Sequence, residues 1–485
     1  MKKTINILDF VQNIMGAKLD YLTDISKSYW SHTGTFSITN LSRWVLCTSK
    51  RSLERFYARP HDWFEHMGVL IISFLSRHAH FIKDFNQHWV LAGDETVDKK
   101  SGHATHGIGY AYSSKAEKVI KGMSVLNISL VHRYAKLSLP FLQEQLIFPT
   151  VLTEKAAKKK ASKKALKAAK SVAKKSGMPF VAAKLGRPKG SKNVLKTTVA
   201  PPESIETAAK EEIAYTFQVL ETLLDRFVQF FKERLSPFIH IKYFVGDGGF
   251  GNNTVAKIVR SKGLHLISKL QYNAALYFPF NGEYSGRGPH KKYGEKLNFD
   301  EAECQLEDHF VEEQKQRDGS IDRIYQIKNM LHKSFDMPLN VVVILRFDKN
   351  SVPKSHKSRA VLFSTDLEAD HKTIMDIYHV RYQIEFNFRD ARQFFGLSNF
   401  KNIKKQQVQN VIGYAFFMVT LSNILLFEIK HKYPESKFSI QDLKAYFRAE
   451  KYLNELLNKD EFTASLFLNL KQNISLPIIG AINPF

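Results

Sequence analysis

The chain has 485 residues, of which 44% are hydrophobic, so it is too long for one simple core and can bury several. Lys and Arg outnumber Asp and Glu by 71 to 47, which gives a formal net charge of +24. Such an excess indicates a polyanionic partner, either nucleic acid or an anionic membrane surface. Cys47 and Cys304 are far apart, which excludes a disulfide framework and a cysteine-based zinc site and suits a reducing interior.

Two segments bear on the membrane alternative. The N-terminal run MKKTINILDFVQNIM is interrupted by polar residues and lacks the pattern of a signal peptide. The most apolar stretch, residues 411–427, contains Ser422 and Asn423 and is slightly short for a comfortable span. It predicts a buried core helix. We therefore expect a nucleic-acid partner and no membrane.

Residues 1–85 have the periodicity of helices. The stretch SITNLSRWVLCTSKRSLERFYARP puts Ile38, Leu41, Trp44 and Val45 on one face, and a second helical run follows a polar break. This pattern is compatible with a helix-turn-helix and equally with a simple pair of packed helices. The interpretation we carry forward is an N-terminal helical DNA-binding region.

After Trp89 the pattern changes to strands. HWVLAGDET is an apolar run that ends in acids, and two alternating segments follow it. Residues 206–235 predict a long amphipathic helix, which leads to a strand ending at Asp247, a glycine turn and a helix from about Asn253. This order of strand, helix and strand favours an α/β domain.

Residues 155–196 concentrate the positive charge. They contain fifteen Lys or Arg and no acid, which leaves +9 of the +24 for the rest of the chain. The Lys/Ala run predicts a solvated tether that binds polyanions without reading sequence. The segment KLGRPKGSKN resembles an AT-hook, which would make Arg187 and Lys189 DNA contacts in a narrow minor groove; a plain basic linker is the alternative.

The domain organisation follows from these changes of pattern. A polar, strand-like insertion separates the α/β segments, and RAVLFSTD resumes the core after it. The predicted regions are 1–85, helical and DNA-binding; 86–149, first part of the core; 150–203, basic insertion; 204–271, second part of the core; 272–357, β-rich insertion; 358–430, last part of the core; and 431–485, C-terminal helices.

Three carboxylates are candidates for one metal site. Asp94 and Asp247 each close an apolar strand, and Glu385 lies on a predicted helix. Aspartates at strand ends can share one rim of a sheet, and a helix packed on that sheet can bring in the glutamate. Three oxygen donors suit two Mg²⁺ or Mn²⁺ ions, which support in-line phosphoryl displacement. Separately, Asp94 is also compatible with a cap, and the Asp247 turn with a tight loop or with a phosphate cradle made of backbone N–H groups.

The helix that carries Glu385 has an unusual face. In YHVRYQIEFNFRDARQFFGL, Tyr378, Arg381, Glu385 and Arg392 fall within an arc of about 60° at helical periodicity. A carboxylate among arginines and a tyrosine indicates a metal ligand beside phosphate-binding groups. A surface ladder of Arg–Glu pairs is the alternative.

Together these motifs resemble the DDE transposases of the IS4-like superfamily of bacterial insertion sequences, over roughly residues 86–430. The first aspartate of that family lies in a D-x-T context, as Asp94 does, and the second precedes a glycine/aromatic turn, as Asp247 does. The signature Y-x2-R-x3-E-x6-K is matched by Tyr378, Arg381 and Glu385. Arg392 stands where the lysine is expected, and it keeps the charge but has a planar, forked geometry.

The resemblance implies an α/β, RNase H-like catalytic core with a β-rich insertion, and a cytoplasmic, nucleoid-associated bacterial enzyme. Asp94, Asp247 and Glu385 would be catalytic and hold two Mg²⁺ or Mn²⁺ ions. Tyr378, Arg381 and Arg392 would bind DNA. Such an enzyme cuts the terminal inverted repeats of its element, joins the 3′-OH ends to target DNA, and acts as a dimer in the DNA complex. The alternatives are an RNase H-like nuclease that does not join strands and an inactive or domesticated DNA-binding protein.

Overall fold

The structure is a computed structural model. It describes Val11, Met15 and residues 19–457, apart from 46–47, 79–86, 103, 114–117, 148–204, 284–285, 287, 300, 350–358 and 436. The basic segment 155–196, with the AT-hook-like motif and its Arg187 and Lys189, lies outside the described residues.

Within residues 20–78, as far as the structure describes them, four α-helices precede the sheet: α1 (Thr23–Ser31), α2 (Ile38–Leu41), α3 (Lys50–Ala58) and α4 (Trp63–His78). Serine side chains cap α2 and α3, because Ser37 and Ser49 each accept a hydrogen bond from a backbone N–H three residues later. Helix α2 is a single turn, and Trp44 and Val45 lie beyond it. The predicted helical face through those two residues is therefore wrong.

The described strands form one mixed sheet of twelve strands in the order β2-β3-β1-β5-β6-β12-β11-β10-β7-β8, with β4 paired to β3 and β9 to β10. The strands are β1 (Trp89–Lys99), β2 (Gly109–Ser113), β3 (Lys118–His132), β4 (Leu137–Leu146), β5 (Ile241–Gly246), β6 (His265–Leu270), β7 (Leu276–Pro279), β8 (Tyr293–Lys296), β9 (Phe310–Lys315), β10 (Ile321–His332), β11 (Leu339–Phe347) and β12 (Ala360–Ser364). The molecule is thus a mixed α/β protein with a large mixed sheet.

Strand β1 is the strand on which two pairing patterns meet. It runs antiparallel to β3 along its whole length and parallel to β5 only as far as Gly93. The prediction that β1 closes at Asp94 is wrong, because β3 continues as its partner to Lys99. The parallel partner β5 ends at Gly246, so Asp94 stands where the parallel pairing stops.

The remaining helices are α5 (Ile205–Phe230), α6 (Asn253–Ser261), α7 (Ala302–Gln305), α8 (His371–Val380), α9 (Gln383–Phe395), α10 (Lys405–Lys432) and α11 (Ile440–Leu457). The prediction of one helix through residues 378–392 is wrong, because the chain turns between α8 and α9. There the N–H groups of Ile384 and Glu385 bond to carbonyls three residues back, at 3.0 Å each, which tightens and bends the backbone.

Helix α10 is the central core helix. It is long and apolar enough to cross a membrane by length and composition, but 83% of its most apolar 18-residue window is buried inside the protein. Its polar residues find partners there: Ser422 accepts a hydrogen bond from the indole of Trp30 at 3.0 Å, and Thr420 donates one to the carbonyl of Pro140. The prediction of a buried core helix is confirmed.

Candidate active site

Asp94 and Asp247 stand side by side at one edge of the parallel part of the sheet. Gly93 of β1 pairs with Gly246 of β5, and each aspartate is the next residue along the chain: Asp94 still within β1, Asp247 just after β5. The Asp94 side chain is 16% exposed, and one of its oxygens accepts a hydrogen bond from the N–H of Glu95 at 2.9 Å. The local sequence pattern therefore places two carboxylates on neighbouring strands although they are far apart in the chain.

A glycine turn fixes the carboxylate of Asp247. The side chain accepts a hydrogen bond from the N–H of Gly249 at 2.9 Å, and the backbone carbonyl of Asp247 accepts one from the hydroxyl of Ser268 at 2.6 Å. A Cβ at Gly249 would lie 3.1 Å from the Asp247 carboxylate, closer than most side chains permit. Glycine at position 249 thus allows the tight approach that holds Asp247 at the strand end.

Arg381 links the glutamate to the first aspartate. Its guanidinium lies 3.1 Å from the Glu385 carboxylate and 3.6 Å from that of Asp94. Arg381 is 15% exposed, whereas Glu385 is 56% exposed. The Nε–H of Arg381 is buried without a partner in the part of the chain that the structure describes. The turn between α8 and α9 is what directs this arginine between two acids.

Tyr378 completes the group. The guanidinium of Arg381 lies 5.7 Å from the centre of its ring. Burial raises the pKa of the Tyr378 hydroxyl, the charge of Arg381 opposes that rise, and the nearby Asp247 and Asp94 add to it. Tyr378, Arg381, Glu385, Asp94 and Asp247 therefore form one electrostatic cluster.

The electrostatics of this cluster are those of crowded carboxylates. The pKa of Asp94 is raised to about 7: burial raises it most, the charges of Asp247 and Glu385 also raise it, and Arg381 and the N–H of Glu95 oppose the rise. A single arginine does not compensate for three acids. The donor set is all carboxylate, which is the chemistry that Mg²⁺ and Mn²⁺ prefer.

The carboxylates therefore have the chemistry of divalent-cation ligands, and Asp94 and Asp247 are the two that would hold such an ion. Among the described residues, no three His, Cys, Asp or Glu side chains lie close enough together to ligate one ion as they stand. Glu385 is instead paired with Arg381. Because the Glu385 side chain is exposed, it can change rotamer, whereas the more buried Asp94 carboxylate is fixed.

Arg392 lies away from this cluster, at the other end of α9. Its Nε donates to the carboxylate of Asp98 at 2.7 Å, and its Nη2 contacts the hydroxyl of Thr96. Asp98 is 4% exposed and accepts a second hydrogen bond, from Ser398, at 2.7 Å. Arg392 thus joins α9 to β1, and the structure does not bring it together with Tyr378 and Arg381.

The sequence analysis missed Asp98 and Ser398. Asp98 follows Asp94 by four residues on one strand, so both side chains point to the same face of the sheet. This spacing was the available signal in DETVD. Ser398 carried no signal, because only the packing of the loop after α9 brings it to Asp98.

A basic surface lies at the ends of strands β7, β8 and β10. Three exposed lysines there each lie over a half-buried aromatic ring, at 4.8 to 5.7 Å: Lys291 over Phe280, Lys292 over Tyr293 and Lys333 over Tyr277. Helix α6 is tied to the same region, because Asn253 donates a hydrogen bond to Asp336 at 2.9 Å. Helix α6 begins six residues after Asp247. It therefore links the lysine–aromatic surface to the edge of the sheet where Asp94 and Asp247 lie.

Comparison with known proteins gives one family. A family model described as DDE superfamily endonuclease matches residues 29–326, a range that includes Asp94 and Asp247 and ends before Glu385. No curated protein matches the chain. One solved structure, a piggyBac transposase synaptic complex with hairpin DNA, is 10% identical with a TM-score of 0.37, over 98% of this chain and 86% of that chain. A likeness this low does not establish a shared fold.

Proposed function

The chain belongs to the DDE superfamily of endonucleases, and from this premise we propose that it is a DNA transposase of the IS4-like group of bacterial insertion sequences. The observation that carries the proposal is the convergence of three acids: Asp247 follows the strand beside that of Asp94, and Arg381 contacts both Asp94 and Glu385. Acids this crowded are typical of phosphoryl-transfer sites that work with divalent cations.

The strand order supports an RNase H-like core. Strands β4, β3, β1, β5 and β6 follow one another across the sheet, with β3 antiparallel to β1 and with β5 and β6 parallel to it. In this proposal residues 86–149, 204–271 and 358–430 build the core. Residues 272–357 and the N-terminal helices recognise the ends of the element, and the lysine–aromatic surface contributes to that contact.

Each group near the acids has a role in the proposed reaction. Asp94, Asp247 and Glu385 would hold two Mg²⁺ or Mn²⁺ ions, which supply charge neutralisation of the phosphodiester and activation of the attacking oxygen. Arg381 releases Glu385 and turns to a DNA phosphate, and Tyr378 orients the same phosphate through its hydroxyl. Arg392 holds α9 against β1, so that Glu385 stays opposite the two aspartates.

The products follow from the chemistry of the superfamily. Cleavage at the terminal inverted repeats leaves a 3′-OH, which attacks a phosphodiester of target DNA in strand transfer. The two ends are paired by a dimer in the DNA complex, and the reaction takes place in the bacterial cytoplasm, at the nucleoid. The charge of +24 supplies sequence-independent, salt-sensitive affinity for both DNAs.

The test uses purified protein, a labelled DNA carrying the terminal repeats, and Mg²⁺ or Mn²⁺. Wild type is compared with Asp94→Ala, Asp247→Ala and Glu385→Ala for DNA binding, nicking at the end and joining to a plasmid. We expect wild type to cut and join and each variant to bind but do neither. Cutting by the variants would contradict the site. Cutting without joining would identify a nuclease, and binding alone by wild type a DNA-binding protein with an inactive site.

A further inference from the structure

Helix α9 is attached to the sheet by a buried amide. Asn387 is 1% exposed, and its Nδ2 donates hydrogen bonds to the hydroxyls of Ser129 and Ser138, at 3.1 and 2.7 Å. Ser129 lies on β3 and Ser138 on β4, so one side chain of α9 contacts two neighbouring strands. The Oδ1 of Asn387 lies 3.4 Å from the Nδ2 of Asn423 on α10. Asn387 therefore joins α9 both to the sheet and to the central core helix.

The same hydrogen-bond network reaches the strand position beside Asp94. The hydroxyl of Ser129 donates to the Oδ1 of Asn127 at 2.6 Å, and the Nδ2 of Asn127 donates to the carbonyl of Leu142 at 3.1 Å. Asn127 is the cross-strand partner of Asp94, and both Asn127 and Ser129 are fully buried. Paired residues on antiparallel strands point to the same face of the sheet. The network therefore begins beside the first carboxylate and ends two residues after Glu385.

Asn387 and Glu385 lie on nearly opposite sides of α9. Two residues along a helix are about 200° apart around the axis and about 3 Å apart along it. Asn387 accordingly faces the sheet and is buried, whereas the Glu385 side chain is largely exposed. Because a helix is rigid over two residues, the direction that is fixed for Asn387 also fixes the direction in which Glu385 leaves the backbone.

The apolar contacts of α9 cannot fix that direction by themselves. The buried face of the helix includes the side chains of Ile384, Phe388, Ala391 and Phe395. Apolar burial is non-directional, so such contacts tolerate a small rotation or shift of the helix. The amide of Asn387 is different, because a rotation or shift would leave its N–H groups and the serine hydroxyls unpaired in the interior, which costs their desolvation. The amide therefore selects one setting of α9 on the sheet.

We propose that Asn387 is a positioning residue of the candidate active site. Through the two serine hydroxyls it sets the rotation of α9 and its position along the strands, and so holds Glu385 beside Asp94. The inference rests on the proposed function, since it assigns the amide to the placement of a carboxylate of that site. Arg392 anchors the far end of the helix, seven residues beyond Glu385, and Asn387 anchors the end that carries the acid.

Asn410 on α10 is a matched control for this amide. It is equally buried, accepts a hydrogen bond from the indole of Trp63 at 3.1 Å, and donates to the carbonyls of Tyr57 and Arg59 at 2.8 and 2.6 Å. These three partners lie in α3, just after α3 and in α4, away from α9. Replacing either asparagine by alanine removes a buried amide with several hydrogen bonds, so both changes should lower Tm. Only the change at position 387 should alter the acids.

The first experiment measures Mn²⁺ affinity by calorimetry, without DNA, for wild type, Asn387→Ala and Asn410→Ala, and thermal unfolding of the same proteins. Loss of a group that orients a metal ligand lowers metal affinity by about tenfold to a hundredfold, so we expect at least about a tenfold loss for Asn387→Ala. Asn410→Ala should stay within about twofold of wild type although its Tm falls, because its site is independent of the acids. Equal Mn²⁺ affinity of wild type and a folded Asn387→Ala would overturn the inference.

The second experiment tests whether Asn387 acts through Glu385. In a double-mutant cycle the Mn²⁺ affinities of wild type, Asn387→Ala, Glu385→Gln and the double variant are compared. If the amide positions the glutamate, its removal has no further effect once the carboxylate is gone, and the two losses are not additive. Additive losses would mean that Asn387 affects the site by another route, which contradicts the inference. If Asn387→Ala does not fold, Ser138→Ala, which removes one acceptor of this amide, takes its place in the cycle.

Cleavage assays separate this inference from the proposed function. On DNA with the terminal repeats, Asn387→Ala should lower kcat by about a hundredfold and leave KM within about twofold, because a misplaced carboxylate slows the chemical step rather than binding. A wild type that cuts DNA, with a variant that matches it in Mn²⁺ affinity and kcat, keeps the proposed function and loses the positioning role. Mn²⁺ affinity that depends on Asn387 without any cleavage keeps the positioning role and removes the transposase. A wild type that neither binds Mn²⁺ nor cuts overturns both.

Discussion

The two ends of α9 make a comparison within one element. At one end Glu385 and Arg381 face Asp94, and at the other Arg392 faces Asp98, four residues further along the same strand. Both ends therefore pair an arginine with a carboxylate of β1. At the Arg392 end the acid is 4% exposed, and Ser398 and Arg392 both bond to it at 2.7 Å. At the Glu385 end the acids repel one another and the glutamate is 56% exposed.

This difference separates a structural ion pair from a candidate reaction centre. The Asp98 carboxylate is held in place by two close hydrogen bonds, both to its Oδ1, from an arginine and a serine that belong to α9 and the loop after it. A buried carboxylate with a pKa of about 7 and acids beside it is destabilised when charged, and a cation relieves it. Strained electrostatics of this kind are typical of functional sites.

The sharpest test of the comparison is a matched pair of isosteric variants. Glu385→Gln should lower DNA cleavage by about a thousandfold or more, because an amide cannot replace a charged ligand, and it should leave Tm nearly unchanged. Asp98→Asn should lower Tm and retain measurable cleavage. Cleavage rate and thermal unfolding are measured on both. If the two variants behaved alike in both assays, the distinction between the ends of α9 would be lost.

Removing Arg392, which pairs with Asp98 at the far end of α9, should have a large effect on stability. Arg392→Ala leaves the buried Asp98 carboxylate with Ser398 as its remaining close partner, and loss of one member of a buried pair costs about 3 to 5 kcal/mol. Because the Arg392 side chain is 31% exposed, we expect the lower end of that range. Urea unfolding measures the loss. The double variant Arg392→Ala, Asp98→Asn should recover part of it, and no recovery would show that the pair is not coupled.

The pH dependence of stability tests the Glu385 end of α9, where the Asp94 carboxylate lies. The folded pKa of Asp94 is raised from 3.8 to about 7, so the folded state binds the proton more tightly than the unfolded state. The contribution of Asp94 to stability is therefore most favourable below pH 4 and is lost as the pH rises toward 7. In metal-free buffer, Asp94→Asn should raise Tm by a few degrees at pH 8 and change it little at pH 4. A gain of equal size at both pH values would contradict the raised pKa.

The smallest effect is expected from restoring the lysine of the signature. Arg392→Lys keeps the charge near Asp98 but cannot contact both Asp98 and Thr96 as the forked guanidinium does, so we expect a loss of about 1 kcal/mol. Affinity for the terminal-repeat DNA should stay within about twofold, because this side chain serves the fold. A tenfold loss of DNA affinity without a change in unfolding would make Arg392 a phosphate contact instead.

Much of the site followed from the sequence because its signals are local. An apolar run before Asp94, an apolar run and glycine turn at Asp247, and the spacing of Tyr378, Arg381 and Glu385 can each be read within about ten residues. The buried helix α10 and the helix from Asn253 were equally accessible, since periodicity and composition determine them. Each of these features depends on backbone geometry or apolar patterning along a short stretch.

The predictions that were wrong concern features that depend on contacts between distant segments of the chain. Strand β1 continues past Asp94 because β3 pairs with it as far as Lys99, and the helix predicted across residues 378–392 bends at Arg381. The length of a strand depends on how far its neighbouring strand pairs with it, and the local sequence does not determine that distance. The same holds for Trp44 and Val45, whose apolar spacing predicted a helical face that the chain does not form.

By itself the sequence determined the chemistry available to this protein: carboxylates after apolar strands, an arginine four residues before a glutamate, and a large positive charge. Only the tertiary structure decided which of these groups act together. It joined Arg381 to Glu385 and Asp94, and it took Arg392 to Asp98. The physical reason is that charge and hydrogen-bonding capacity belong to each side chain, whereas burial and pairing are properties of the packed chain.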